Sequence, residues 1–347
     1  MKIGFIYYNF YPVTGGPSVH GYHLAKELSQ LGYELYKLNG EPDPHTVKKK
    51  PLTGLYYILK ECDLIYVRMD YFLKPRNLIT LIALAVGKKV IVELNAPSDE
   101  LHLFGKNENY IRKADQWMKT VLKKVDAVVV VSDPIRQYCE EELELSHVYV
   151  VENGGEIFKP ELNRIPSELK EKIDSIRQDY PRIAVWSGSV NQMQNFTLLK
   201  QVAEQSPDTA LIIISNEDKN ETKTSFPSGN IFPMYNLKRE EVSYVISRSD
   251  IGLAFYGDYS WSRWGFYNSS LKVYEYLNNG LLTITNKPGT TVQNSYPNFK
   301  VAGNAEEILT FIDNFTYHSP GIQNIRTWKH VAKETSKIIR DITEQNS

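Results

Sequence analysis

The residues richest in potential chemistry lie late in the chain, in Phe266-Tyr267-Asn268-Ser269-Ser270-Leu271-Lys272-Val273-Tyr274-Glu275 and on to Gly280. Ser269 and Ser270 are natural N-caps, so a helix is predicted to begin there. The free amides and dipole of such a helix start could hold a diphosphate, and Lys272 in the first turn would add charge. Glu275 follows about one turn later, where it could accept hydrogen bonds from sugar hydroxyls or stand as a solvated helix residue. An earlier loop, Pro12-Val-Thr-Gly15-Gly16-Pro-Ser-Val-His20, falls between the first predicted strand and the first predicted helix. Its two glycines permit close backbone approach to a ligand, and the helix start favours an anion, although an ordinary turn explains the same residues. The Gly-x-Gly-x-x-Gly dinucleotide fingerprint is absent. His20 and His23 could form a metal pair, but no carboxylate adjoins them. A cleft-lining or capping role for His20 is the simpler reading, and no metal site is expected. The aromatic run from Tyr256 to Tyr267 could cover a sugar ring or simply pack as a long loop. Tyr235, after a strand, could stack near a nucleobase or fill the core.

The elements that must position these residues follow a β-then-α rhythm. Ile3 to Tyr8 reads as a strand, the loop follows, and Gly21 to Leu31 reads as a helix ending at Gly32. Asp63-Leu-Ile-Tyr-Val, a helix near 76–86, and Val90-Ile-Val-Glu come next. The run Val125-Asp-Ala-Val-Val-Val-Val-Ser is continuous and apolar, as in a buried parallel strand. It leads into a helix opened by Asp133-Pro134, and Val148-Tyr-Val-Val adds a strand. After a polar stretch with Pro160 and Pro166, strands recur at Ile183–Ser187, Thr209–Ile214, Asn230–Phe232, Ile251–Phe255 and Leu281–Thr285. Helices are predicted near 194–205, 239–248, 270–278 and 305–314, with a last amphipathic helix over 322–343. The expected fold class is α/β, with two Rossmann-like doubly wound parallel-sheet domains facing across a cleft. The expected divisions are 1–160, 161–320 and a C-terminal helix in 321–347 that packs back on the first domain. Such an arrangement makes the cleft the default ligand site.

Composition narrows the function classes. The chain has 347 residues, with 40 Lys plus Arg against 41 Asp plus Glu and a formal net charge of −1. That balance argues against a dedicated nucleic-acid binder, which carries a basic excess. Hydrophobic residues at 42% and charged residues at 23% describe an ordinary globular chain and exclude disorder. Two cysteines, Cys62 and Cys139, are too few for a disulfide scaffold and suit a reducing cytosol. The first residues read as a strand rather than a signal peptide, and the run Leu78 to Val86 is too short to span a bilayer. The expected location is therefore cytoplasmic, with peripheral contact at the inner face of the membrane through Lys48-Lys49-Lys50 as an option beside the commoner solvated loop.

Several segments, taken in order, resemble glycosyltransferases of the GT-B fold, in the broad family-4, glycogen-synthase-like group. They are the Gly15-Gly16 loop before a Leu-Ala-x-x-Leu helix, Leu64-Ile-Tyr-Val-Arg68, Val92-Glu93-Leu-Asn95-Ala-Pro97, Val130-Val-Ser132 and Val151-Glu-Asn153-Gly154. In the second half they are Trp186-Ser-Gly188-Ser189, Ser249-Asp250-Ile-Gly-Leu and Lys272-x-x-Glu275-Tyr-Leu-x-x-Gly280. The resemblance implies transfer of a sugar from a nucleoside diphosphate sugar to an acceptor hydroxyl, with retention of configuration and no cofactor beyond the donor itself. The acceptor would be a glycan, a lipid-linked molecule or a protein. Glu275 would bind the ribose, and the amides near Ser270 and Leu271, with Gly15 and Gly16, would hold the diphosphate, assisted by Lys272. Gly188, Ser189, Tyr235, Tyr267, Asn268 and Ser269 complete the implied donor site. Asn95, with Glu93 and His20, would lie near the acceptor hydroxyl or the transferred sugar, and Asn95, Lys272 and Glu275 are the implied catalytic group.

The sequence departs from that family in three places. The first of two glutamates usually spaced seven residues apart is Tyr267 here. The usual phosphate-gripping Gly-Arg…Lys pair is replaced by Ser187-Gly-Ser-Val-Asn-Gln-Met-Gln-Asn195, which has neither cation, so neutralisation falls to Lys272 and Arg263. Asn95 stands where histidine is common. These departures keep open a catalytically weak partner or regulatory subunit of the same fold. A nicotinamide-dependent dehydrogenase is disfavoured by the missing fingerprint, and a solute-binding protein by the lack of an export signal.

Overall fold

In this computed structural model, which describes residues 1–13, 16–72, 74–216, 229–315 and 325–344, the alternation produces two separate parallel sheets. The chain divides into unit 1 (1–153, 259–269 and 328–347) and unit 2 (154–258 and 270–327). Unit 1 contains β1 (Lys2–Ile6), β2 (Glu34–Lys37), β3 (Val47–Lys48), β4 (Leu64–Arg68), β5 (Lys89–Leu94), β6 (Ala127–Val130) and β7 (Val148–Val150), in the order β3-β2-β1-β4-β5-β6-β7. Its helices begin with α1 (Gly16–Gln30), α2 (Pro51–Glu61), α3 (Pro75–Ala85), α4 (Glu108–Leu122) and α5 (Asp133–Glu141). The strand order reverses between β1 and β4, the switch point at which doubly wound sheets leave an opening beyond their carboxyl ends.

Unit 2 repeats the plan with β8 (Arg182–Ser187), β9 (Thr209–Ser215), β10 (Ile231–Tyr235), β11 (Ile251–Ala254), β12 (Leu282–Thr285) and β13 (Phe299–Val301), ordered β10-β9-β8-β11-β12-β13. Its helices are α6 (Ser167–Asp179), α7 (Phe196–Gln205), α8 (Arg239–Ser247), α9 (Leu271–Asn278), α10 (Thr291–Asn294) and α11 (Ala305–Asp313). The pleat sorts its side chains between two layers. Ile183 and Val185 of β8 join Ile212, Ile173 and Ile176 on one face. Ala184 and Trp186 join Leu211, Leu199 and Ile308 on the other. Both faces are covered, which is why β8 and β9 read as near-continuous apolar runs. The last helix, α12 (Trp328–Glu344), belongs to unit 1 and packs on α1, and its Ser336 hydroxyl lies 2.6 Å from that of Tyr33, just after α1. The sequence predicts the final helix from 322; it starts at Trp328, and residues 316–324 lie outside the described ones.

One contact fixes where α9 lies. Gly252 of β11 leaves no room for a side chain, because a Cβ there would collide with the Tyr276 ring of α9. Tyr276 is fully buried, and its hydroxyl accepts a hydrogen bond from the Ser187 amide at the end of β8, at 2.8 Å. The missing side chain thus lets the helix settle on the sheet with its first turn beside the β8 end. A Gly252→Ala substitution is expected to destabilise the protein by about 1–3 kcal/mol through overpacking, read as a lower urea midpoint. An unchanged midpoint would show that the helix does not depend on this close approach.

Candidate functional site

The first turn of α9 is built to leave its amides open. Ser270 occupies the N-cap position, yet its side chain makes no capping bond. The Ser270 hydroxyl instead accepts from the Tyr256 hydroxyl, and its carbonyl accepts from Gln293 Nε2 at 3.3 Å. Tyr256 is in turn held by Asn286, which bonds both its amide and its carbonyl at 2.7 Å. The amides at the start of α9 therefore present a helix N-terminus with no side-chain cap, the setting that favours an anion.

Lys272 adds a cation at that end. Its Nζ donates to Gln194 Oε1 at 3.0 Å and lies 4.2 Å from the centre of the Trp186 ring. Gly188, in the loop after β8, has φ +151°, and a Cβ on it would stand 3.0 Å from that same Nζ. Glycine here serves both the backbone angle and the approach of the lysine. Burial lowers the Lys272 ammonium to about 7, and the Glu275 carboxylate opposes this only in part. Ser189 follows Gly188 in the exposed part of the loop. Tyr235 ends β10 with its hydroxyl buried and without a hydrogen-bond partner.

Glu275 is not a solvated helix residue. It is 6% exposed, and its Oε1 is bound by Arg239 Nη2. Arg239 also reaches Glu156 Oε2 through Nε at 3.2 Å and Nη2 at 2.8 Å, with its guanidinium 4.9 Å from the centre of the Phe158 ring. Against the opposing effect of burial, the Glu275 and Glu156 carboxylates push the Arg239 pKa up, so the cation is fixed. Arg239, Glu156, Gln194 and Tyr276 are site residues that sequence reasoning missed. Arg239 stands 36 positions from Glu275, Glu156 83 from Arg239, Gln194 78 from Lys272 and Tyr276 89 from Ser187, so no local motif marks these pairs.

Unit 1 holds a different constellation. Glu93, near the end of β5, is 1% exposed and accepts from Tyr7 at 2.5 Å, Tyr66 at 2.9 Å and Arg68 at 3.4 Å. His20 Nε2 of α1 lies 3.2 Å from Glu93 Oε2. Asn153 Nδ2 donates to the Ser269 carbonyl at 2.6 Å, which turns its Oδ1 toward His20, and His20 Nδ1 donates there at 2.7 Å. Burial alone would raise the Glu93 pKa; His20, Arg68 and Tyr7 outweigh it and bring it down to about 2. Asn95, just past β5, keeps a buried Oδ1 with no hydrogen-bond partner. His20 and His23 both stand against Trp328, with ring centres 5.2 Å and 5.5 Å away.

The other expected donor residues, Gly16, Arg263, Tyr267, Asn268 and Ser269, belong to unit 1. Gly16 is the exposed first residue of α1, and Gly15 lies outside the described residues. Arg263 belongs to unit 1, and three carboxylates occupy its guanidinium: Asp99 at 2.7 Å, Glu142 at 2.9 Å and Asp115 at 3.2 Å. Its charge is matched there and is not a free phosphate ligand. Tyr267 is 1% exposed, and its hydroxyl meets Glu100 Oε1 at 3.3 Å. Asn268 Nδ2 donates to the Tyr259 hydroxyl at 2.6 Å, and the Ser269 hydroxyl accepts from the Asn153 amide at 2.9 Å. From Tyr259 onward the aromatic run is packed within unit 1, with Tyr259 against Trp261, Phe266 and Tyr267, whereas Tyr256 belongs to unit 2. Among the described residues, no group of three His, Cys, Asp or Glu could hold a metal ion, and no helix is long and apolar enough to cross a membrane.

No protein-family model matches this sequence, and no curated protein matches it. Solved structures do. A glycosyltransferase from Rickettsia africae ESF-5 superposes with TM-score 0.69 at 15% identity, covering 100% of this chain and 99% of that one. HepE from Anabaena, in complex with UDP-glucose, gives TM-score 0.63 at 12% identity, with 99% and 98% covered. A UDP-GlcNAc 2-epimerase from Neisseria meningitidis bound to UDP-GlcNAc gives TM-score 0.56 at 12% identity, with both chains fully covered at 100%. The chain has the GT-B fold. Transferases and epimerases share that fold, so the chemistry of this chain is set by its own side chains.

The Glu93 cluster makes a direct stability prediction. A carboxyl whose folded pKa is depressed contributes stability that is present above its usual value of 4.5 and lost as pH falls toward about 2. Glu93→Ala leaves Arg68 and two tyrosine hydroxyls buried without their acceptor. It is expected to cost about 3–5 kcal/mol at pH 7, with the difference shrinking below pH ~4.5 in urea titrations. A penalty independent of pH would show that the cluster is not held by the ionised carboxylate.

Proposed function

We propose that this chain is a glycosyltransferase that takes a sugar from a nucleoside diphosphate sugar and passes it to a hydroxyl of a glycan, lipid-linked or protein acceptor. The observation that carries this reading is the uncapped first turn of α9 with Lys272 Nζ beside Gly188. Donor binding is assigned to unit 2. The amides of α9 and Lys272 stabilise the negative charge that develops on the leaving diphosphate, which is where such a reaction needs help most. Glu275, positioned by Arg239 through one oxygen, accepts a ribose hydroxyl with the other. The orphaned Tyr235 hydroxyl supports a polar contact with the nucleobase. Acceptor binding is assigned to unit 1, where the unpartnered Asn95 Oδ1 supports a hydrogen bond from a sugar or acceptor hydroxyl. The departing phosphate oxygen takes the acceptor proton, so the reaction retains configuration and requires neither a paired carboxylate base nor a metal ion.

A second reading, a catalytically weak partner or regulatory subunit, is favoured by specific residues. Tyr267 stands where the family carries its first glutamate, Ser187 to Asn195 contains no lysine or arginine, and Arg263 is occupied by three carboxylates. HepE was solved with UDP-glucose and the meningococcal epimerase with UDP-GlcNAc, so uridine donors are the first to test.

The test is a screen of uridine, guanosine, adenosine and cytidine diphosphate sugars by thermal shift and by product analysis, with and without EDTA. Transfer or slow donor hydrolysis that survives EDTA is expected; binding without turnover would favour the regulatory reading, and conversion of UDP-GlcNAc to its 2-epimer would replace transfer altogether. Failure to bind any nucleotide sugar would sink both donor-based readings. Lys272→Ala and Glu275→Ala are each expected to lower turnover by about 10²–10³-fold while the fold survives. Because the Lys272 ammonium titrates near 7, nucleoside diphosphate affinity is expected to weaken as pH rises through about 7, and Lys272→Met is expected to flatten that profile. An identical pH profile in the variant would remove Lys272 from the phosphate site.

A further inference from the structure

The outer face of α2 breaks the usual rule for a surface helix. Its inner face carries Gly54 and Ile58, both buried. The opposite stripe would ordinarily be polar, yet it holds Leu52, 87% exposed, and Tyr56, 67% exposed. Lys60 follows four positions later, its side chain 63% exposed and its Nζ 5.9 Å from the centre of the Tyr56 ring. Residues four apart share one helix face, so Leu52, Tyr56 and Lys60 form one line about 12 Å long. Val47 of β3, 47% exposed, and the exposed Lys48 and Lys50 stand just before the start of that line. Lys49 does not join them, because its Nζ turns back over the Tyr57 and Tyr36 rings at 4.1 Å and 5.2 Å. Glu61 Oε1 lies 4.0 Å from Lys60 Nζ, and among the described residues neither Lys48 nor Lys50 forms an ion pair.

We propose that this face of unit 1 docks on an anionic lipid bilayer, with Leu52 and Tyr56 entering the headgroup region and Lys48, Lys50 and Lys60 meeting lipid phosphates. The inference is independent of the proposed activity. Exposed apolar side chains rimmed by lysine are the composition that lies in a membrane interface, and each lysine near such a surface contributes about 1 kcal/mol, or roughly fivefold in partitioning. A second copy of the chain fits less well. A two-fold interface would set Lys48, Lys50 and Lys60 of each copy against the same lysines of the other. A patch of lysines on a chain with net charge −1 also selects a negatively charged surface by local complementarity.

The experiment is co-sedimentation of the full chain with vesicles of equal parts phosphatidylglycerol and phosphatidylcholine, and with vesicles of phosphatidylcholine alone. Binding to the mixed vesicles is expected at low salt, weakening by at least tenfold in the zwitterionic ones and on raising the salt. Lys48→Gln with Lys50→Gln is expected to lose about 25-fold, from two lysines at roughly fivefold each. Leu52→Gln with Tyr56→Gln is expected to abolish recovery with vesicles while circular dichroism and thermal unfolding stay unchanged. No binding to the mixed vesicles, or equal binding to both kinds, would overturn the proposal. So would a concentration-dependent dimer, seen in sedimentation equilibrium, that the Leu52 and Tyr56 substitutions dissolve, because the face would then belong to a second copy.

Discussion

A tyrosine resting on a glycine holds the unit 2 site in place. Tyr276 occupies the space that a side chain at Gly252 would fill, and its hydroxyl takes the Ser187 amide. That pair of contacts joins α9 to two adjacent strands, β11 and β8, which flank the point where the strand order reverses. Everything chemical about unit 2 follows from the placement. Gly188 comes one residue after Ser187, so its open backbone meets Lys272, which lies in the first turn of the same helix that Tyr276 anchors. Tyr256 and Asn286 then fix the helix start from the far side by drawing the Ser270 hydroxyl away from a capping position. Removing a cap ordinarily weakens a helix by about 1 kcal/mol. Here the tertiary contacts of Tyr276 offset it, and the amides are left for a ligand.

Unit 1 is organised by charge rather than by an open helix end. Glu93 is surrounded by two tyrosine hydroxyls, Arg68 and His20, and the chain of bonds continues through Asn153 to Ser269. Arg263 ties the aromatic segment to Asp99, Asp115 and Glu142 in the same unit. Buried ionic clusters of this kind are poor sources of net stability, because the cost of taking charges out of water offsets their attraction, while losing one partner leaves a buried charge unpaired. Asn95 stands just past the strand that carries Glu93, with its Oδ1 buried and without a hydrogen-bond partner.

The alternation of strands and helices was legible because both faces of each sheet are covered. Runs such as Thr209-Ala-Leu-Ile-Ile-Ile have no other ready explanation, and the start of α9 was announced by Ser270. Short or polar elements escaped. The strand β2 ends at a lysine, Lys37, that is buried and paired with Asp43, so it did not read as core. The helix α6 is mostly charged and follows Pro166, where the sequence resembled a linker; only Leu169, Ile173 and Ile176 are buried in it. At the site, residue types close in sequence were readable, as with Lys272 and Glu275. Partners contributed by distant segments were not: Arg239 pairs with Glu275 across 36 positions, and the charges that occupy Arg263 lie 121 or more positions away. A single sequence carries no mark of which cation is already matched, so Arg263 looked available.

The central claim is that the first turn of α9, positioned by Tyr276, is where a nucleoside diphosphate binds. Backbone amide chemical-shift mapping during titration with uridine diphosphate tests it most directly. The account predicts that the largest changes fall on Leu271, Lys272, Val273 and Gly188, and that Tyr276→Phe, which loses the bond to Ser187, weakens binding and shrinks them. Saturable binding whose shifts leave those four amides unmoved would contradict it.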